Sequence, residues 1–159
     1  MFAKRLLAAL ALCVGTAAPA LPQEAASGTW FHDCRPDEWT GRKICKATYR
    51  AQPSEQRPAA SLHVVVRQPG PIVVINVIGV PMLKVAALRV DTLPLWSTEL
   101  CTGASCTFTQ ADELIDDMLK AKNISVRFMP RNGAMQEVVM PLAGFGPALD
   151  GAKQDLAKE

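Results

Sequence analysis

Apolar positions change their spacing several times along this chain, and each change marks an element. Leu62-His63-Val64-Val65-Val66-Arg67 is β-branched and runs into Gln68-Pro69-Gly70-Pro71, which predicts a strand stopped by a turn. Ile72 to Ile78 is apolar at almost every position. That run predicts a central strand buried on both faces, ended by Gly79-Val80-Pro81. Lys84 to Asp91 predicts another strand with weaker patterning. Between Ile124 and Met129 the alternation is clean: Ile124, Val126 and Phe128 point one way, Ser125 and Arg127 the other. Pro130-Arg131-Asn132-Gly133 supplies a hairpin turn, and a return strand covers about Met135 to Met140.

In two places the spacing becomes helical. Ala111, Leu114, Ile115, Met118 and Leu119 form one apolar stripe, with acids Asp112, Glu113, Asp116 and Asp117 early and Lys120 and Lys122 late, as the helix dipole favours. A second helix is expected from Pro147, with Ala148, Leu149, Ala152 and Leu156 as its stripe. Gln52 to Pro58 reads as a polar loop bounded by prolines. The sum is a mainly β domain with two short helices. Short strands separated by Pro and Gly turns favour a sandwich over a parallel sheet.

The first twenty residues follow a different logic. Lys4 and Arg5 precede an apolar run from Leu6 to about Val14, and Ala18-Pro19-Ala20 offers a small-x-small cleavage site. These are the parts of a secretory signal peptide over 1–20, with 21–29 as a loose lead-in and 30–159 as one domain. The run is too short to span a membrane, which takes about 20 residues, and no later stretch is long enough. Leu12 before Cys13 does not suit lipid attachment. Losing Lys4 and Arg5 brings the seventeen basic residues level with the fifteen acidic ones, so the exported body as a whole has no electrostatic case for nucleic acid or an anionic membrane.

Export changes what the cysteines mean. Cys13 leaves with the leader, and Cys34, Cys45, Cys101 and Cys106 reach an oxidising compartment where they can pair. Four cysteines allow three connectivities. Short loops close most often, which favours Cys34–Cys45 and Cys101–Cys106. Paired zinc knuckles and C-x-x-C are absent, so a zinc site or a thioredoxin-type centre is not expected.

No G-x-S-x-G, H-E-x-x-H or phosphate-binding loop appears, and there are only two histidines. His32 could pair with Asp33 but reads better as a packed or surface ring. His63 should face solvent or a polar sheet surface. Asp112, Asp116 and Asp117 are explained by the helix dipole without a metal. No catalytic residue, metal or cofactor is expected. Arg35, Arg42, Lys43, Lys46 and Arg50 form a basic stretch that reads as a solvated surface or, functionally, as a patch for an acidic partner such as envelope phosphate groups. Trp30, Trp39 and Trp96 suit packing, but a binding groove would use such rings. Trp39, Arg42, Lys43 and Trp96 are therefore the candidate binding surface.

Taken together, these pieces resemble the invasion-associated locus B family of exported α-proteobacterial proteins. The likeness runs from about Trp30 to Leu156: Trp30 before Cys34, Cys45 before a strand, an apolar strand into Val80-Pro81, and a strand ending Arg89-Val90-Asp91. Cys101-Thr102-Gly103-Ala104-Ser105-Cys106 follows, then a helix, then Met140-Pro141-Leu142-Ala143-Gly144-Phe145-Gly146-Pro147-Ala148-Leu149. The resemblance implies an immunoglobulin-like β-sandwich, a periplasmic or outer-envelope location, and a link to host-cell invasion in pathogenic members. It implies no reaction. The expected function is non-enzymatic binding to an envelope or host-surface protein, with an envelope-integrity or disulfide-dependent redox role as the alternative.

Overall fold

A computed structural model describes residues 28–52, 59–109, 111–131 and 133–158. The segments expected to be a signal peptide (1–20) and most of the lead-in, with the bulk of the expected proline-bounded loop, lie outside the described residues. Ten strands and two helices follow in the order β1 (Trp30–Pro36), β2 (Lys43–Ala51), β3 (Ala60–Val66), β4 (Ile72–Val77), β5 (Leu83–Val90), β6 (Trp96–Thr98), β7 (Cys101–Thr102), β8 (Ser105–Phe108), α1 (Ala111–Lys120), β9 (Asn123–Pro130), β10 (Gln136–Pro141) and α2 (Phe145–Leu156). They form two antiparallel sheets, a six-stranded one ordered β1-β2-β3-β4-β8-β7 and a four-stranded one ordered β10-β9-β5-β6. The fold is the expected mainly β sandwich with two short helices.

Alternation decides which side chains enter the core. Ile124, Val126 and Phe128 of β9 are fully buried, and Leu88 and Val90 of β5 meet them from the neighbouring strand. From the larger sheet come Tyr49, Leu62, Val64, Val73 and Ile75. All belong to one continuous apolar cluster, which α1 joins through Leu114, Ile115 and Met118. Burial of each such side chain contributes about 1.5–3 kcal/mol. At one end Trp30 stacks at a tilt on Tyr49 and Phe145, with ring centroids 5.5 and 4.7 Å apart, and donates its indole N–H to the carbonyl of Pro141 at 2.8 Å. This contact fastens α2 across β1 and β2.

Several expectations change. β4 is an interior strand, but it is buried on one face only: Val73, Ile75 and Val77 are inside, while Ile72, Val74 and Asn76 are half-buried on the outer face. Nearly continuous apolarity therefore marked an interior position in the sheet, where β-branched neighbours shield one another, and not a strand covered by two layers. Leu119 belongs to the expected α1 stripe but is exposed, because the ninth residue of the helix, at 100° per residue, lies off the buried face. α2 begins at Phe145, two residues before Pro147, and Phe145 is a core residue that the stripe did not include. Pro147 sits in its first turn, where the missing N–H is harmless.

The β7–β8 hairpin joins the layers. The carbonyl of Gly103 accepts from the amide of Leu83 at 2.8 Å, and the Thr98 hydroxyl donates to the carbonyl of Thr107 at 2.8 Å. Both bonds run from the four-stranded sheet to the hairpin edge of the six-stranded one. Cys101 and Cys106 face each other in the ladder, and their sulfurs are bonded at 2.05 Å. Among the described residues no helix is long and apolar enough to cross a membrane.

Candidate functional site

β1 and β2 form a hairpin at the edge of the larger sheet. Cys34 lies opposite Cys45, and their sulfurs are bonded at 1.99 Å. Beyond this staple the chain turns through residues 37–42, held almost wholly by its own bonds. The Asp37 amide donates to the Arg42 carbonyl at 2.7 Å, and the Gly41 amide to the Asp37 carbonyl at 2.8 Å. Asp37 Oδ1 accepts from the Thr40 hydroxyl and amide, both at 2.8 Å, and from the Trp39 amide at 3.2 Å. Those bonds, led by the Thr40 hydroxyl, hold the Asp37 carboxyl below the usual carboxylate range. One carboxylate oxygen is thus spent on building the turn. At its apex Trp39 is 93% exposed. An indole so free of packing is unusual for a residue of its size.

Beside the turn lies a cleft of about 500 Å³, between the start of β2, the end of β3 and the last turn of α2. Arg42, Lys43, Arg67 and Lys153 line it, and Asp37 is its one acidic lining residue. Ile44, Val66 and Leu156 give it an apolar part. Lys43 Nζ donates to the Asp155 carbonyl at 2.7 Å, a lysine meeting the electronegative end of a helix. The side chains of Arg42, Arg67 and Lys153 form no ion pair among the described residues. A second hollow of about 380 Å³ carries Trp39, Arg35, Glu38 and Lys46, and shares Asp37, Ile44 and Arg67 with the first. The two concavities and the indole therefore make one continuous end of the molecule.

The structure brings Trp39, Arg42 and Lys43 to this end but not Trp96. Trp96 is half-buried on β6, in the other sheet, and borders a different hollow with Leu100 and Phe108. Its place on an edge strand of the opposite layer separates it from the rest. Arg67 and Lys153 were missed. Each ends an element, Arg67 just after β3 and Lys153 in the last turn of α2, and only tertiary packing joins them to the hairpin. The basic stretch also divides. Lys46 pairs with Asp33 at 3.7 Å on one face of the sheet, whereas Arg42 and Lys43 line the cleft.

Neither histidine lines either of the two hollows. His32 and Asp33 point to opposite faces because they are neighbours on a strand. His32 meets Asp155 instead, at 3.4 Å. His63 is bracketed by two hydroxyls, Thr48 Oγ1 at 3.0 Å from Nδ1 and Ser61 Oγ at 2.8 Å from Nε2. Ser61 can pass its proton towards the Asn76 carbonyl at 3.5 Å, so the consistent arrangement has Nε2–H donating to Ser61 and Nδ1 accepting from Thr48. Burial first, then the nearby positive charge of Lys46, pushes the imidazole pKa down to about 4. His63 thus lies on the polar sheet surface that was expected, but as a neutral ring withdrawn from water. Ser61 is 5% exposed and lines neither cleft.

The described residues thus form a two-layer β domain with two disulfide-closed hairpins, one tied into both layers and one ending in an exposed indole beside cations that make no ion pair among the described residues. The chain belongs to the invasion associated locus B family: the model described as "Invasion associated locus B (IalB) protein" matches residues 30–153. No curated protein matches the chain. No solved structure matches it either.

Proposed function

We propose that this is an exported, non-enzymatic protein of the bacterial envelope that acts by binding another surface through the β1–β2 end. The single observation that carries the reading is Trp39, 93% exposed on a turn closed by Cys34–Cys45 and flanked by Arg42, Arg67 and Lys153, which have no ion-pair partner among the described residues. A large ring at low conformational cost, surrounded by charge, is how binding surfaces concentrate energy. Export is supported by the leader pattern of residues 1–20 and by two disulfides, which persist outside the reducing cytosol. The family description supports a part in invasion, with the partner on the envelope or on a host surface.

Two measurements test this. N-terminal sequencing of the protein from the periplasmic fraction should begin after Ala20; an intact Met1 there contradicts export. Trp39→Ala/Arg42→Ala should be exported and melt like the natural protein, yet lose its association with sedimented envelopes or host membranes. Unchanged association contradicts the assigned surface.

A further inference from the structure

Among the described residues, the cleft beside Trp39 is lined by four cations and one acid, and the cations come from three separate segments of the chain. Arg42 ends the hairpin turn, Lys43 starts β2, Arg67 follows β3, and Lys153 lies in the last turn of α2. A solvated basic face arises along one element; convergence of four cations from three segments on one concavity raises mutual repulsion that, among the described lining residues, only the Asp37 carboxylate offsets. Lys43 is engaged with a helix carbonyl, and Lys153 has the same helix end to favour it. Arg42 and Arg67 have neither. Asp37, the one acid present, has turned an oxygen inward to its own turn. Two free guanidinium forks match the oxygens of a phosphate better than any other common anion geometry. The rest of the cleft is aliphatic: Ile44, Val66 and Leu156.

We propose that this cleft binds a phosphate ester carrying an aliphatic chain, with the phosphate on Arg42 and Arg67, the field strengthened by Lys43 and Lys153, and the chain laid over Ile44, Val66 and Leu156. The assignment rests on the binding reading above and names the ligand class for that surface. A phosphate ester of this kind can be a membrane headgroup or a free metabolite, and the chemistry is the same for both.

The test is titration calorimetry of the disulfide-intact protein with dihexanoyl phosphatidic acid below its micelle concentration. Inorganic phosphate, dihexanoyl phosphatidylcholine and poly-glutamate serve as comparisons. Phosphatidic acid should bind most tightly, weaken with added salt, and lose about tenfold or more in affinity in Arg42→Ala/Arg67→Ala. Arg42→Lys/Arg67→Lys should recover only part of that loss, because it keeps charge without the fork. Both positions are exposed, so an unchanged melting temperature certifies the fold of the variants. Retention on phosphatidylcholine vesicles doped with phosphatidic acid supports the proposal with a headgroup as source; binding of the soluble ester without retention supports it with a free ester. The proposal is overturned if phosphatidic acid does not bind, if the double alanine variant binds equally well, or if inorganic phosphate or poly-glutamate binds as tightly. Any of those results, with envelope association still dependent on Trp39, leaves the β1–β2 surface in place and removes only its ligand class.

Discussion

The β1–β2 and β7–β8 hairpins are each closed by a disulfide between residues that face one another across the strands, Cys34 with Cys45 and Cys101 with Cys106. Their turns use their backbone groups differently. Gly103 and Ala104 accept from Leu83 and Val77, so the second turn is built into both β5 and β4. The first turn bonds to itself through the backbone of Asp37 and Arg42 and the side chains of Asp37 and Thr40, and leaves Trp39 exposed. One staple therefore closes a hairpin that hydrogen bonds tie to both layers, while the other closes a hairpin whose turn bonds mainly to itself. Similar covalent chemistry serves architecture in one place and presentation in the other.

Removing the staples should give the largest effects and separate the roles. Chain entropy alone assigns about 3 kcal/mol to Cys34–Cys45 and about 2 to Cys101–Cys106, because the first loop is longer. The tertiary bonds of the second hairpin, at roughly 1 kcal/mol each, should reverse that order. Cys101→Ala/Cys106→Ala is expected to lose about 4 kcal/mol in denaturant unfolding, against about 3 or less for Cys34→Ala/Cys45→Ala. Hydrogen exchange locates the damage: the amides of Val77 and Leu83 should lose protection in the first variant and keep it in the second.

Acid should act next. His63 bridges β2 and β3, the strands that support the first hairpin, and its folded pKa of about 4 lies below the ordinary 6.5. The fold thus favours the neutral ring. The stability this represents is fully present above about pH 6.5 and is lost as the pH falls towards 4, to a limit of about 3 kcal/mol. In His63→Gln the part of the acid-induced loss due to this ring should vanish, as judged by unfolding at several pH values. An unaltered pH profile would show that the platform under the first hairpin is no more acid-sensitive than the rest.

A smaller effect distinguishes the turns again. Gly41 and Gly103 have φ of +66° and +57°, with nothing within 4 Å of an added Cβ, so alanine at either position meets the same backbone penalty of about 1 kcal/mol. Gly103→Ala should lower the unfolding free energy by that full amount, read as a drop in melting temperature, since β4 and β5 hold its turn in shape. Gly41→Ala should lower it less, because the free turn can deform. Smallest of all is Trp39→Ala, expected to change stability by less than about 0.5 kcal/mol while abolishing surface association.

How much of this was legible depends on how each residue earns its place. β9 and α1 could be read directly because one face of each is buried and the period survives: Ile124, Val126 and Phe128, or Leu114, Ile115 and Met118. β1 could not, since Trp-Phe-His-Asp-Cys-Arg-Pro carries half-exposed and exposed residues without a clean alternation. Sequence adjacency put Trp39, Arg42 and Lys43 together. Arg67 and Lys153 reach the same cleft only through the packing of β3 and α2 against β2, which leaves no local trace. Trp96 has the same composition argument as Trp39, and only the strand order places it in the other layer. His63 shows both limits at once: Ser61 is its neighbour two positions back on the strand, but Thr48 comes from the register of β2 against β3.

The most direct test of the division between the hairpins is crosslinking in intact cells, with a photoreactive residue placed at position 39 or at position 102. The account predicts a discrete adduct from position 39 that disappears with Arg42→Ala/Arg67→Ala, and none from position 102. Adducts of equal yield from both positions, or from position 102 alone, would contradict it.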